Sequence, residues 1–260
     1  MSLVVKLGGE VVGNREVAAD LHAVIAGGMR AAIVHGGGAQ ATALQQQLGI
    51  ATEQVAGRRI TSAATLDVMK MALGRVNIDL CAVLTAAGIA AVGVTGAIRA
   101  QRQPPTVYPS AGPDPVDLGL VGEVIGFNTH LLDALWIAGF TPVLACLGNG
   151  DDGAIYNING DTVANQLAVA LAADHLVLVT STPGVLRDVK DPTSRLPKLT
   201  RAEARQAIAD GVVTGGMVAK LEEAIAVVDK GVGAIHIVGA AENLARILKE
   251  PGSLGTTIVA

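Results

Sequence analysis

Aromatic side chains are almost missing from this chain, with one Trp, two Tyr and two Phe in 260 residues. The core must therefore be built from Ala, Val, Leu and Ile packed against closely approaching backbone. Cysteine is equally scarce. A disulfide framework is excluded by count, because Cys81 and Cys146 are the only two, and neither stands in a metal-like Cys/His spacing. Both read as buried thiols. No Lys/Arg-rich block occurs and the formal net charge is -4, which argues against nucleic acid or an anionic membrane surface as partner. No apolar run reaches about 18 uninterrupted residues, and no signal peptide precedes the first apolar segment, so the chain reads as cytosolic. Sequence repeats, heptad runs and low-complexity tails are also missing.

Glycine and aliphatic residues are abundant, with 32 Gly and half of the chain hydrophobic. That balance suits an α/β protein with a parallel sheet covered by helices, large enough for one domain or for two lobes sharing a sheet. Residues 3–9, Leu-Val-Val-Lys-Leu-Gly-Gly, read as a buried strand feeding a tight loop. Lys6 then sits at the strand's carboxyl end, where open α/β sheets bind ligands. It is either a point charge beside an anion cradle, with Gly8 and Gly9 in the loop, or a lysine snorkelling to solvent.

A helix is expected over residues 15–26, then a strand over 31–34 running into His35-Gly36-Gly37-Gly38 and a helix over 39–47. Three consecutive glycines before a helix amino terminus exceed what a βα turn requires and favour an anion cradle. His35 reads as a satisfied loop histidine rather than a base. Of Arg58 and Arg59, one is expected to offer a two-pronged donor to a carboxylate and the other to be a surface charge. Thr61 or Ser62 caps a long helix over 63–87, and a strand follows over 90–94. Residues 99–115 read as a loop or hairpin excursion, with an alternating strand over 116–125, a helix over 128–138 and a strand over 142–146. Residues 148–153 are expected to form a tight connection in which Asp151 and Asp152 are Asx-turn formers.

Asn157, Asn159 and Asp161 precede an apolar helix that ends near residue 172. As caps alone one of them would suffice, so they are weighted towards a ligand site. A strand over 175–180 ends in Ser181-Thr182-Pro183-Gly184-Val185, and Thr200 caps a helix over 201–210. Lys220 falls in the first turns of a helix ending near residue 230, the end where an anionic ligand is favoured. Its other reading is a solvated lysine. A strand over 234–238, a short helix and a strand over 256–259 complete the chain.

In their order, Val-Lys-Leu-Gly-Gly, Val-His-Gly-Gly-Gly, Gly-Arg-Arg-Ile-Thr, Asn-Ile-Asn-Gly-Asp, Thr-Pro-Gly-Val-Leu, Gly-Gly-Met-Val-Ala-Lys and Gly-Thr-Thr-Ile span the chain. As a set they resemble the amino acid kinase family. The resemblance implies a three-layer αβα sandwich with a mainly parallel central sheet, residues 1–150 forming an acceptor lobe and 151–260 a nucleotide lobe. It implies phosphoryl transfer from ATP, with Mg²⁺ carried by the nucleotide phosphates and no protein metal site, to a carboxylate of an acylated amino acid. Lys6 and Lys220 would stabilise the phosphoryl group in transit and Asp161 would hold them. Gly36, Gly37, Arg59, Asn157 and Asn159 would bind the acceptor. Gly8, Gly9, Ser181, Thr182, Pro183, Gly184, Val185, Leu186, Val212, Val213 and Thr214 would line the nucleotide.

Relatives commonly carry Asp where Ser181 stands, which points to backbone contacts there. Many also carry a Ser-Gly-Lys-like turn where this chain has Val94-Thr95-Gly96-Ala97-Ile98, so no acceptor contact is carried over to that turn. Without the extra N-terminal helix of arginine-sensitive hexamers, the resemblance implies an arginine-insensitive homodimer joined through the helix over 63–87. The rival readings are a kinase acting on a carrier-linked acceptor, a catalytically silent ligand sensor, and a dinucleotide-dependent dehydrogenase. The last lacks a GxGxxG after the first strand.

Overall fold

The computed structural model describes residues 1–188, 190–213, 216–239 and 243–260. The apolar run at the start forms β1 (Ser2–Leu7), followed by α1 (Arg15–Ala26), which Asn14 caps by accepting from two backbone N–H groups. Next come β2 (Arg30–His35) and α2 (Gly38–Gln47), then a hairpin of β3 (Gln54–Val55) and β4 (Arg58–Arg59). Ser62, not Thr61, caps the long α3 (Ala63–Ala86), which leads to β5 (Ala91–Val94).

The excursion after β5 is more ordered than its Gln/Pro/Ser/Gly composition indicates. It contains β6 (Ile98–Arg102), β7 (Thr106–Val107), β8 (Pro115–Val116) and β9 (Gly122–Phe127). The segment expected to be one strand over 116–125 is thus divided between β8 and β9. After α4 (Thr129–Ile137) and β10 (Thr141–Ala145), the expected turn over 148–153 is partly strand, with β11 (Leu147–Gly150) returning to β12 (Ile155–Asn157). Glycine is needed at 148 for close packing, since a Cβ there would lie 2.5 Å from that of Ala100. Asp152 does form the expected turn bond, accepting from the Ala154 N–H, while Asp151 pairs with Arg99.

The remaining elements are α5 (Gly160–Ala170), β13 (His175–Thr180), β14 (Lys198–Thr200), α6 (Arg201–Ala209), α7 (Gly216–Asp229), β15 (Ala234–Gly239), α8 (Leu244–Lys249) and β16 (Thr256–Val259). Thr200 and Glu203 form a capping box on α6.

Eight strands form the central sheet in the order β14-β16-β15-β13-β1-β2-β10-β5, parallel except where β15 meets β16. A second sheet, β12-β11-β6-β9, stands beside it. Alternation along β1 sends Leu3, Val5 and Leu7 into one apolar layer with α1, α3 and α8, and Val4 into the other with α5 and α7. The result is a three-layer αβα sandwich. By the same alternation Lys6 faces the α5 side of the sheet, at the centre of the strand order.

Candidate active site

Lys6 and Lys220 converge on one carboxylate. Lys6 Nζ lies 2.8 Å from Asp161 Oδ1, and Lys220 Nζ donates to Asp161 Oδ2 at 2.7 Å. The three side chains come from β1, the first turn of α5 and the first turns of α7, and are only 16, 20 and 29 % exposed for Lys6, Asp161 and Lys220. Burial pushes the Asp161 carboxyl up, but the charges and hydrogen bonds of the two lysines outweigh it and hold the group below its ordinary range. Asn159 caps α5 by accepting from the Asp161 and Thr162 N–H groups, which fixes Asp161 at the helix start.

Beside this triad opens a cavity of about 250 Å³, lined by Gly36, Gly37, Gly38, Arg58, Arg59, Cys146, Asn157, Asn159 and Gly160 among others. That volume is just below the usual span for small-molecule clefts and suits a small ligand. Gly160 joins cavity to triad, since a Cβ on it would sit 3.5 Å from Lys6 Cε and 3.1 Å from Cys146 Sγ. None of Gly8, Gly9, Gly36, Gly37 and Gly38 has a positive φ. Glycine serves close approach at two of these positions. A Cβ on Gly9 would stand 2.4 Å from Gln40 Oε1 and 3.1 Å from Gly37 Cα, and one on Gly37 would stand 2.8 Å from Leu73 Cδ2. Gly36 and Gly38 face open space.

His35 is a satisfied buried histidine at the end of β2. Asn77 Nδ2 donates to its Nε2 at 2.9 Å, which leaves the Nδ1 proton for the Gly36 carbonyl at 2.9 Å. Burial lowers its pKa, with the Gly36 bond acting the other way. Arg59 reaches from β4 to α2, donating to Gln45 Oε1, to Thr42 Oγ1 at 2.9 Å and to the Gly38 carbonyl at 3.2 Å. Burial lowers its pKa as well. Arg58 is not a bare surface charge, because it lines the cavity and its guanidinium lies 5.5 Å from the Tyr108 ring centroid. Asn157 donates to Thr61 Oγ1 at 3.1 Å.

The residues expected to line a nucleotide are more dispersed. Gly8 and Gly9 follow β1, and Ser181, Thr182 and Pro183 form the partly accessible end of the β13 loop. Gly184, Val185 and Leu186 are buried, and the Val185 N–H is taken by Thr256 Oγ1 at 2.8 Å. Val213 is buried, while Val212 lines a separate cavity of about 330 Å³ with Arg187 and Lys198. Thr214 lies outside the described residues.

Three groups near the site escape sequence reasoning. Cys146 donates to the His35 carbonyl at 2.7 Å; its thiol is pushed up to about 12, chiefly by burial, with Lys6 acting against and Asp161 with it. Gln40 ties α2 to the Gly9 carbonyl at 2.8 Å, and Gln45 holds Arg59. Glutamine in a helix carries no sequence signal for such a role.

A parallel αβα sandwich holding two ammonium groups on one carboxylate at the strands' carboxyl ends defines a protein built to handle anions. The chain belongs to the amino acid kinase family, whose sequence model matches residues 1–239. Among curated relatives, the acetylglutamate kinase of Sorangium cellulosum is 56 % identical, over 99 % of this chain and 94 % of that one. The acetylglutamate kinase of Anaeromyxobacter dehalogenans is also 56 % identical, over 100 % of this chain and 99 % of its own. A solved Streptococcus mutans structure superimposes with a TM-score of 0.80 at 28 % identity, covering 100 % of this chain and 98 % of that one.

Proposed function

We propose that the chain is a phosphotransferase that moves the γ-phosphoryl group of MgATP to the γ-carboxylate of N-acetyl-L-glutamate, giving N-acetyl-L-glutamyl 5-phosphate and ADP in arginine biosynthesis. The observation that carries this reading is the convergence of Lys6 and Lys220 on Asp161 beside a small-molecule cavity. Full-length relatives at 56 % identity that bear the acetylglutamate kinase name support the acceptor.

In this mechanism the attacking carboxylate is ionised at neutral pH and needs no base. One of its oxygens forms a bond to the γ-phosphorus as the bond from that phosphorus to the bridging oxygen breaks, and ADP leaves with the electron pair. Charge spreads over the phosphoryl oxygens in a loose transition state, so catalysis consists of positioning and cationic stabilisation. Lys6 and Lys220 supply the cations, and Asp161 keeps the two like charges together. The Gly36 N–H is bonded to the Leu7 carbonyl, so the neutral donors on this side are the first-turn N–H groups of α2, beginning at Gly38. Arg59, with Asn157 and Asn159, anchors the acceptor by its carboxylate that does not react. Residues 1–150 form the acceptor lobe and 151–260 the nucleotide lobe. Ser181, Thr182 and Pro183 of the latter, with Gly8 and Gly9 reaching across from the former, face the nucleotide, and buried Gly184, Val185, Leu186 and Val213 shape its loops.

Among the described residues no helix is long and apolar enough to cross a membrane. We place the enzyme in the cytoplasm as a homodimer joined through α3, on which Met71 and Ile78, seven residues apart, are 53 and 71 % exposed. The test is ADP release from MgATP with N-acetyl-L-glutamate. Lys6→Ala or Lys220→Ala should lower kcat by about 10²-fold or more while the acceptor KM changes little. Turnover only with a carrier-linked acceptor, or ligand binding with no ADP from any acceptor, would overturn the reading.

A further inference from the structure

Arg59 is fixed by neutral groups. Its acceptors are the Gln45 side-chain oxygen, the Thr42 hydroxyl and the Gly38 carbonyl, and none of the ion pairs among the described residues includes it. Gln45 is 1 % exposed. Its amide has one workable orientation. Nε2 donates to the Ala51 carbonyl at 3.1 Å, and Oε1 accepts from Thr52 Oγ1 at 3.1 Å as well as from Arg59. A flipped amide would set oxygen against oxygen at Ala51 and N–H against N–H at Arg59. The buried scaffold of α2 and residues 51–52 thus dictates that an uncharged oxygen, not a carboxylate, grips the guanidinium. An arginine held this way is oriented as firmly as in an ion pair but keeps its net charge for a ligand.

We propose that Gln45 is a positioning residue that sets acceptor specificity. By gripping Arg59 through a neutral oxygen, it presents an uncompensated cation to the cavity and so makes it select an acceptor with a carboxylate at that end. The inference rests on the proposed reading of Arg59 as the acceptor anchor. It predicts that a protein carboxylate in the same place would occupy Arg59 and compete with the ligand, although the cavity's shape would be unchanged.

The test uses Gln45→Glu, with calorimetric binding of N-acetyl-L-glutamate and of its 1-carboxamide, alongside kcat, both KM values and the thermal midpoint. The expected result is Kd and KM for the dicarboxylate raised about 10- to 100-fold, the range of a charge-assisted hydrogen bond. Binding of the carboxamide, KM for ATP and kcat should stay at wild-type values, so that the preference for charge collapses. A purely structural glutamine would weaken both ligands together and lower the thermal midpoint. Equal weakening of both, or an unchanged preference, overturns the proposal. If Gln45→Glu folds poorly because its second oxygen meets the Ala51 carbonyl, Thr42→Asp brings a carboxylate to Arg59 from a half-buried position and must give the same collapse. Wild-type protein that releases no ADP with the dicarboxylate overturns the kinase reading alone, because the binding comparison needs no turnover. Wild-type protein that binds both ligands equally overturns the inference.

Discussion

Asp161 is a shared ion-pair partner for two lysines and, in the proposed mechanism, the organiser of the reaction centre. Two lysines hold its carboxyl below the ordinary 3.8, so it stays ionised throughout the neutral range and is unsuited to proton transfer. The depressed value also has a stability consequence of defined sign. The ion pairs contribute in full above the unfolded-state pKa and are lost as pH falls through the lower folded one. Asp161→Asn would leave two partly buried ammonium groups facing a neutral amide, at a cost of about 3–5 kcal/mol typical of breaking a buried pair. Urea titrations should show that loss at pH 7 and a gap from wild type that narrows below about pH 4, and kcat should fall with it. A variant as stable as wild type at pH 7 would contradict the triad.

The glycine loops behave as elements rather than as sets of residues. Gly37 is held by packing against Leu73, whereas Gly36 has open space where its side chain would be. Gly36→Ala should therefore keep the thermal midpoint while weakening substrate binding or turnover, and Gly37→Ala should lose about 1–3 kcal/mol by overpacking. Comparing melting curves with steady-state kinetics separates the two. A second element pair sets Lys220. One turn beyond Asp161 and Lys220, Asn165 of α5 donates to Glu223 of α7 at 3.0 Å, and burial, aided by the Asp161 charge, raises the Glu223 carboxyl. Asn165→Ala would orphan that carboxyl at about 1–3 kcal/mol and loosen the register of α7. The expected readout is a lower denaturation midpoint with kcat falling more than either KM.

Across the whole molecule, acid sensitivity should come from the opposite end of the sheet. His236 of β15 is fully buried, 3.1 Å from His175 and bonded to Thr257, and burial together with the His175 charge lowers its pKa to about 3 from the ordinary 6.5. The folded state keeps this imidazole neutral while the unfolded chain protonates it. Stability therefore declines as pH falls from 6.5 towards 3, and the residue adds no pH dependence above 6.5. Denaturation midpoints of wild type and His236→Gln measured across that interval should diverge least at its acid end. Parallel lines would show that another group controls the decline. Sedimentation at twice the chain mass, reduced to one chain by Ile78→Glu on α3, is the corresponding check of the homodimer.

The family, the sandwich, the order of the helices and seven of the eight central strands were legible in the sequence because aliphatic periodicity, caps and glycine stops act locally; the edge strand β14 was not. Residues 63–87 read as one long helix for that reason, and Lys6 read as the carboxyl end of a buried strand. The short strands β7, β8, β11 and β14 were not legible, since two to four residues have no period of their own and become strands only when a partner is beside them. The site divided the same way. The sequence could nominate Lys6, Asp161 and Lys220, but only packing of α5 against β1 and α7 brings charges 59 and 155 positions apart to within hydrogen-bond reach of one carboxylate. Gln45 lies beyond sequence reasoning, and so does the bond of Cys146, which the sequence marks only as a buried thiol. What each does depends on the neighbour that folding sets against it, an arginine for one and a carbonyl for the other, and no local pattern encodes that meeting.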